Sequence, residues 1–92
     1  MIVKHPTVCG TTEKSDAVVR LLPLEAGREI VFQKIPHPRF IERETALIEQ
    51  LLNVLDVGPV HVEIEDYGAL SFVLEARLRT ALILAGEEES SC

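Results

Sequence analysis

The chain has 92 residues, nine basic and fifteen acidic side chains for a formal net charge of −6, and a hydrophobic fraction of 47%. A chain this short is expected to form one domain with a compact core and no deep catalytic cleft. Its acidity argues against nucleic acid and anionic membranes, which reward clustered Lys and Arg, and its apolar content argues against disorder.

Residues 7–11 (TVCGT) read as a short strand, and the polar run Thr11-Thr12-Glu13-Lys14-Ser15-Asp16 reads as a turn. Ala17–Leu22, rich in β-branched residues and closed by Pro23, predicts a second strand whose continuous apolarity suits a central position. After the turn Glu25–Arg28, alternation of Ile30 and Phe32 against Val31 and Gln33 predicts a third strand over 29–35, paired antiparallel with the second. Pro38 favours a helix start near that residue, and Phe40, Ile41, Leu47, Ile48, Leu51, Leu52 and Leu55 recur at helical steps. Glu42, Arg43, Glu44, Glu49 and Gln50 fill the opposite face of that helix.

Beyond Gly58-Pro59, Val60, Val62 and Ile64 alternate with His61, Glu63 and Glu65, which predicts a half-buried strand. Asp66 is placed to cap a second helix running to about Ala85 and burying Leu70, Val73, Leu74, Ala81 and Leu84. The tail 86–92 is charged and polar and is expected to fray. The expected architecture is α+β: a small two-layer fold, 1–92, with a mostly antiparallel sheet of three to four strands and two helices on one face.

Catalytic constellations are sparse. His5, His37 and His61 fall in three different segments without the clustering that a metal site needs. Cys9 and Cys92 lie near opposite ends, suggest neither a disulfide framework nor a CxxC site, and fit a reducing cytoplasm. The N-terminus MIVKHPTVCG lacks the layout of a signal peptide, and no apolar run is long enough to span a bilayer. Cys9 or Ser15 could be combined with a distant His into a dyad, but only geometry identifies one. Glu63 and Glu65 share a strand face, where repulsion would raise one carboxyl as a general acid requires; a solvated face is the plainer account. Isolated glycines give no phosphate loop. Ser15, in a polar turn beside Asp16, is suited to covalent modification, or simply to local turn hydrogen bonds.

Two blocks of sequence resemble a known family. Gly10-Thr11-Thr12-Glu13-Lys14-Ser15-Asp16-Ala17-Val18-Val19-Arg20-Leu21-Leu22-Pro23 is similar to the N-terminal signature of the acyl carrier (gamma) subunit of citrate lyase. Val62-Glu63-Ile64-Glu65-Asp66-Tyr67-Gly68-Ala69-Leu70, followed by Val73-Leu74-Glu75-Ala76-Arg77-Leu78, resembles the second signature of the same family. The resemblance implies a non-catalytic, cytoplasmic carrier subunit. Such a subunit bears phosphoribosyl-dephospho-coenzyme A, attached by a prosthetic-group transferase through a phosphodiester to a serine. It further implies citrate lyase alpha and beta subunits as partners, the first exchanging acetyl for citrate on the thiol and the second cleaving the citryl thioester to oxaloacetate. Nucleic acid, membrane and metal have no part in that role. Tethering would raise the effective concentration of the acyl group at both partner sites.

One position departs from the pattern. Aligned without gaps, the family's modified serine falls on Lys14, and Ser15 stands directly before Asp16. Ser15 is therefore the candidate anchor in a shifted register. The alternatives are a carrier-like assembly module without the group, and a carrier of a malonate decarboxylase-type system. Asp16, Arg20, Asp66, Gly68 and Arg77 are the remaining signature positions. They are read as packing or partner contacts, with Arg20 and Arg77 pairing to Glu63, Glu65 or Glu75.

Overall fold

The computed structural model describes residues 1–87 and 92. Along the chain run β1 (Thr7–Gly10), β2 (Ala17–Pro23), β3 (Arg28–Lys34), a 3₁₀ turn (Pro38–Phe40), α1 (Ile41–Val54), β4 (Val60–Asp66) and α2 (Ser71–Ala85). The expected α+β fold, with two helices against a small four-stranded sheet, is borne out, and β2 is central as its apolarity requires.

The strand order is β1-β2-β4-β3, so the expected direct pairing of 17–22 with 29–35 does not form. β4 lies between them, antiparallel to β2 (Val19 opposite Ile64) and parallel to β3 (Ile30 opposite Val62). The reason is the helix: β3–α1–β4 is a crossover unit, and a parallel neighbour reached through a helix buries that helix's apolar stripe against the sheet. Two of the three pairings remain antiparallel.

β4 alternates as its sequence predicts. Val60, Val62, Ile64 and Asp66 are buried, while His61, Glu63 and Glu65 lie half-exposed on the other face. The core joins these side chains to Val19 and Leu21 of β2, Ile48, Leu51 and Leu52 of α1, and Leu74, Leu78, Ala81, Leu82 and Ala85 of α2.

Several expected burials shift. Pro38 opens a 3₁₀ turn rather than α1, and the His37 ring accepts from the Arg39 N–H at 3.1 Å as its cap. Leu70 is exposed at the entrance to α2, and Val73 and Leu84 are only half-buried; Leu78, Leu82 and Ala85 take the inward stripe instead. α2 is apolar on more than one side, so its composition leaves its rotation open and packing against β1 and β2 sets it. Glu44, expected on the solvent face of α1, is buried. It sits one turn before Ile48 and two before Leu51, in phase with the apolar stripe.

Cys9 and Cys92 are joined as a disulfide, with Cα atoms 5.1 Å apart, which corrects the reading that they form no disulfide and removes them as support for a reducing cytoplasm. Linear separation concealed the pair because β1 and the end of the chain meet only in the folded molecule. Gly86 and Glu87 form a turn after α2, and the rest of the expected frayed tail, residues 88–91, lies outside the described residues. No described helix is long and apolar enough to cross a membrane.

Candidate functional site

The turn between β1 and β2 carries the candidate anchor. Gly10 begins it with φ +113°, and a Cβ there would sit 1.8 Å from the Ala17 carbonyl oxygen, so only glycine permits the two strand ends to approach so closely. Thr11 Oγ1 accepts from the Glu13 N–H (3.3 Å) and donates to Asp16 Oδ2 (2.6 Å). The Asp16 N–H donates to the Glu13 carbonyl at 3.1 Å, which closes the turn. At its tip Lys14 and Ser15 are both exposed.

Two backbone bonds join this turn to the segment after β4. The Ser15 N–H donates to the Tyr67 carbonyl (2.8 Å), and the Tyr67 N–H donates to the Asp16 carbonyl (2.9 Å). They extend the β2–β4 ladder one step beyond Ala17 and Asp66. Ser15 adopts φ +68°, a left-handed conformation most at home with glycine.

Asp16 is the hub. Its Oδ1 accepts from the Ala17 N–H (2.7 Å) and Arg77 Nε (3.0 Å), and its Oδ2 accepts from Arg77 Nη2 (2.7 Å) as well as from Thr11. This two-pronged fork holds the Asp16 carboxyl far below the usual carboxylate range, with the Thr11 hydroxyl next in importance. The same contact raises Arg77. Arg77 was expected to pair with Glu63, Glu65 or Glu75; its partner is instead an aspartate 61 residues away in sequence. The only sequence signal for it was that both residues sit in the two signature blocks.

Arg20 meets one of its expected partners, Glu65, across the β2–β4 pair. The Tyr67 hydroxyl donates to the other Glu65 oxygen, and the Lys34 ammonium lies 5.1 Å above the Tyr67 ring. That hydroxyl, then Arg20, pulls Glu65 below its ordinary value. Glu63 contacts His61 Nε2 at 3.1 Å, and His61 Nδ1 contacts Glu29 at 2.8 Å. Glu29 foremost raises His61, which donates to both carboxylates when protonated. Glu63 and Glu65 therefore have separate donors, and Glu65 moves away from general-acid behaviour rather than toward it.

Asp66 does not cap α2. Its Oδ1 accepts from the Gly68 (2.9 Å) and Ala69 (2.8 Å) N–H groups, which fixes a turn, and α2 begins later, at Ser71. Gly68 serves that turn with φ +90°. Beside Asp66 lies the buried Glu44 carboxyl, pushed up to about 8 by burial and then by Asp66. His5, His37 and His61 occupy separate places, and among the described residues no three His, Cys, Asp or Glu side chains are grouped to hold a metal.

A family model described as malonate decarboxylase delta subunit (MdcD), an acyl carrier protein model, matches residues 4–85. The chain belongs to this acyl carrier family. Similar proteins include the citrate lyase acyl carrier protein of Enterobacter sp. (strain 638), 32% identical over 97% of this chain and 92% of its own. Those of Edwardsiella ictaluri, 34% identical over 95% and 90%, and of Vibrio cholerae O395, 38% identical over 92% and 88%, carry the same name. No solved structure gives a significant match.

Proposed function

We propose that this chain is the acyl carrier subunit of a citrate lyase complex in the cytoplasm, with 1–92 acting as one carrier domain and Ser15 as the anchor of phosphoribosyl-dephospho-coenzyme A. The observation that carries the reading is the exposed Ser15 side chain at the tip of a turn bonded to Tyr67, just after β4, and to Arg77 of α2. The residues present fit the group. Ser15 offers an accessible hydroxyl for a phosphodiester, and the exposed Lys14 beside it offers a cation for a phosphate. The bond made joins Ser15 Oγ to phosphorus; the bond broken joins that phosphorus to the leaving oxygen of an activated phosphoryl donor, and the hydroxyl proton passes to a base. The bound group supplies a thiol that carries acetyl and citryl as thioesters between the alpha and beta subunits. This chain's own contribution is to hold the anchor and to dock on the partners.

A second reading has its own support. Ser15 occupies the left-handed position that glycine favours, and Lys14 takes the place before it, where a serine is expected. On that reading the chain is an assembly module without the group. The name of the matching family model further supports malonate decarboxylase as an alternative acyl system.

Intact mass after coexpression with an active prosthetic-group transferase decides between them. A gain equal to the group, lost in Ser15→Ala, supports the carrier reading. An unmodified wild-type chain alongside a modified Lys14→Ser variant supports the assembly module.

A further inference from the structure

Four donors converge on the Asp16 carboxylate: the Thr11 hydroxyl, the Ala17 N–H and two nitrogens of Arg77. The network lies directly beside Ser15 and gathers the hydroxyl that also holds the Glu13 N–H inside the turn. The Asp16 backbone is bonded on both sides as well, its N–H to Glu13 and its carbonyl to the Tyr67 N–H. The Ser15 backbone is thereby held between the Asp16 hub and the Tyr67 carbonyl, while its side chain stays exposed. A left-handed non-glycine residue persists only where its surroundings over-determine it, and this network does so.

We propose that Asp16, Arg77 and Thr11 are positioning residues that lock the backbone of the turn and so hold Ser15 in one fixed place, its side chain open to the enzyme that modifies it. The three act through the backbone of the turn rather than as reacting groups. The inference rests on the reading of Ser15 as the anchor, and its physical basis is that group transfer is fast only from a narrow range of attack geometries. A loose turn spends less time in that range, so the rate of attachment falls while the fold survives.

The test uses the full chain as wild type, Arg77→Met, Arg77→Lys and the milder Thr11→Val. Amide hydrogen exchange is read at Ser15, Val19 and Ile64, and attachment rates are measured with the transferase across carrier concentrations. In Arg77→Met, Ser15 exchange is expected to accelerate about tenfold or more beyond any common rise at Val19 and Ile64, which reports lost global stability, and attachment kcat/KM to fall by a similar factor. Arg77→Lys, which keeps charge but loses the fork, and Thr11→Val are expected to fall between. Uniform acceleration at all three amides, or an unchanged Ser15 amide together with wild-type attachment kinetics, overturns the clamp. A wild-type chain that an active transferase leaves unmodified overturns the Ser15 reading instead, and exchange at Ser15 still decides whether the clamp exists.

Discussion

Glu44 of α1 and Asp66 at the end of β4 place two carboxyl groups side by side in the protein interior, with the two residues only 3% and 2% exposed. Asp66 is satisfied by the Gly68 and Ala69 amides, whereas Glu44 Oε2 has no hydrogen-bond partner among the described residues. Burial and the neighbouring Asp66 push Glu44 up to about 8 from an ordinary value of 4.5, so it is protonated at neutral pH. Folding thus takes up a proton between those two values. The stabilisation is complete below pH 4.5 and declines as pH rises toward 8. Glu44→Gln mimics the neutral acid and is expected to remove that slope. In urea titrations from pH 5 to 9, its midpoint should exceed that of wild type at pH 9 and converge with it at pH 5. A wild-type slope retained in the variant would refute the assignment.

Asp16 behaves in the opposite sense. Arg77 and Thr11 hold its carboxyl below its ordinary value of 3.8, so its contribution is present above that pH and fades as the solution becomes more acid. Asp16→Asn is expected to cost about 1–2 kcal/mol at pH 7, in keeping with charge-assisted hydrogen bonds that are partly open to solvent. The deficit should shrink toward pH 2. Thermal melts at pH 7 and pH 2 measure both quantities.

Gly10 and Gly27 separate steric exclusion from backbone strain. Both have positive φ, +113° and +77°, but a Cβ at Gly10 would strike the Ala17 carbonyl at 1.8 Å while one at Gly27 meets nothing within 4 Å. Gly27→Ala is expected to cost about 1 kcal/mol, from conformation alone. Gly10→Ala is expected to cost about 3 kcal/mol or more, since the ends of β1 and β2 must move apart. Chemical denaturation of the two variants gives the comparison directly.

The Cys9–Cys92 bond closes a loop of sequence separation 83. Chain-entropy reasoning gives such a closure up to about 4.5 kcal/mol of stability. Oxidised protein is expected to show no free thiol under denaturing alkylation. A reducing agent, or Cys92→Ser, is expected to lower the unfolding midpoint, and equal midpoints with and without reductant would show that the closure contributes nothing.

Local patterns in the sequence determined most of the elements. The period-two alternation of Val60, Val62 and Ile64 and the polar run 11–16 depend on neighbours within a few positions, so they were legible without a fold. The stripe of Ile48, Leu51 and Leu52 was equally clear, and the same phase would have revealed Glu44, whose charge disguised its inward place. The resemblance of the two signature blocks pointed to the family, and Ser15 with Lys14 as the position in question.

The sequence alone established a small, acidic α+β chain and singled out the polar turn 11–16 as the candidate anchor. Only the tertiary structure decided which distant groups meet. The β3–α1–β4 crossover puts β4 between β2 and β3, which brings Tyr67 to Ser15, and α2 carries Arg77 to Asp16. Those partners are 52 and 61 residues apart along the chain, respectively. Contacts at such separations follow from which faces of helix and sheet can be buried together, and no local pattern encodes them.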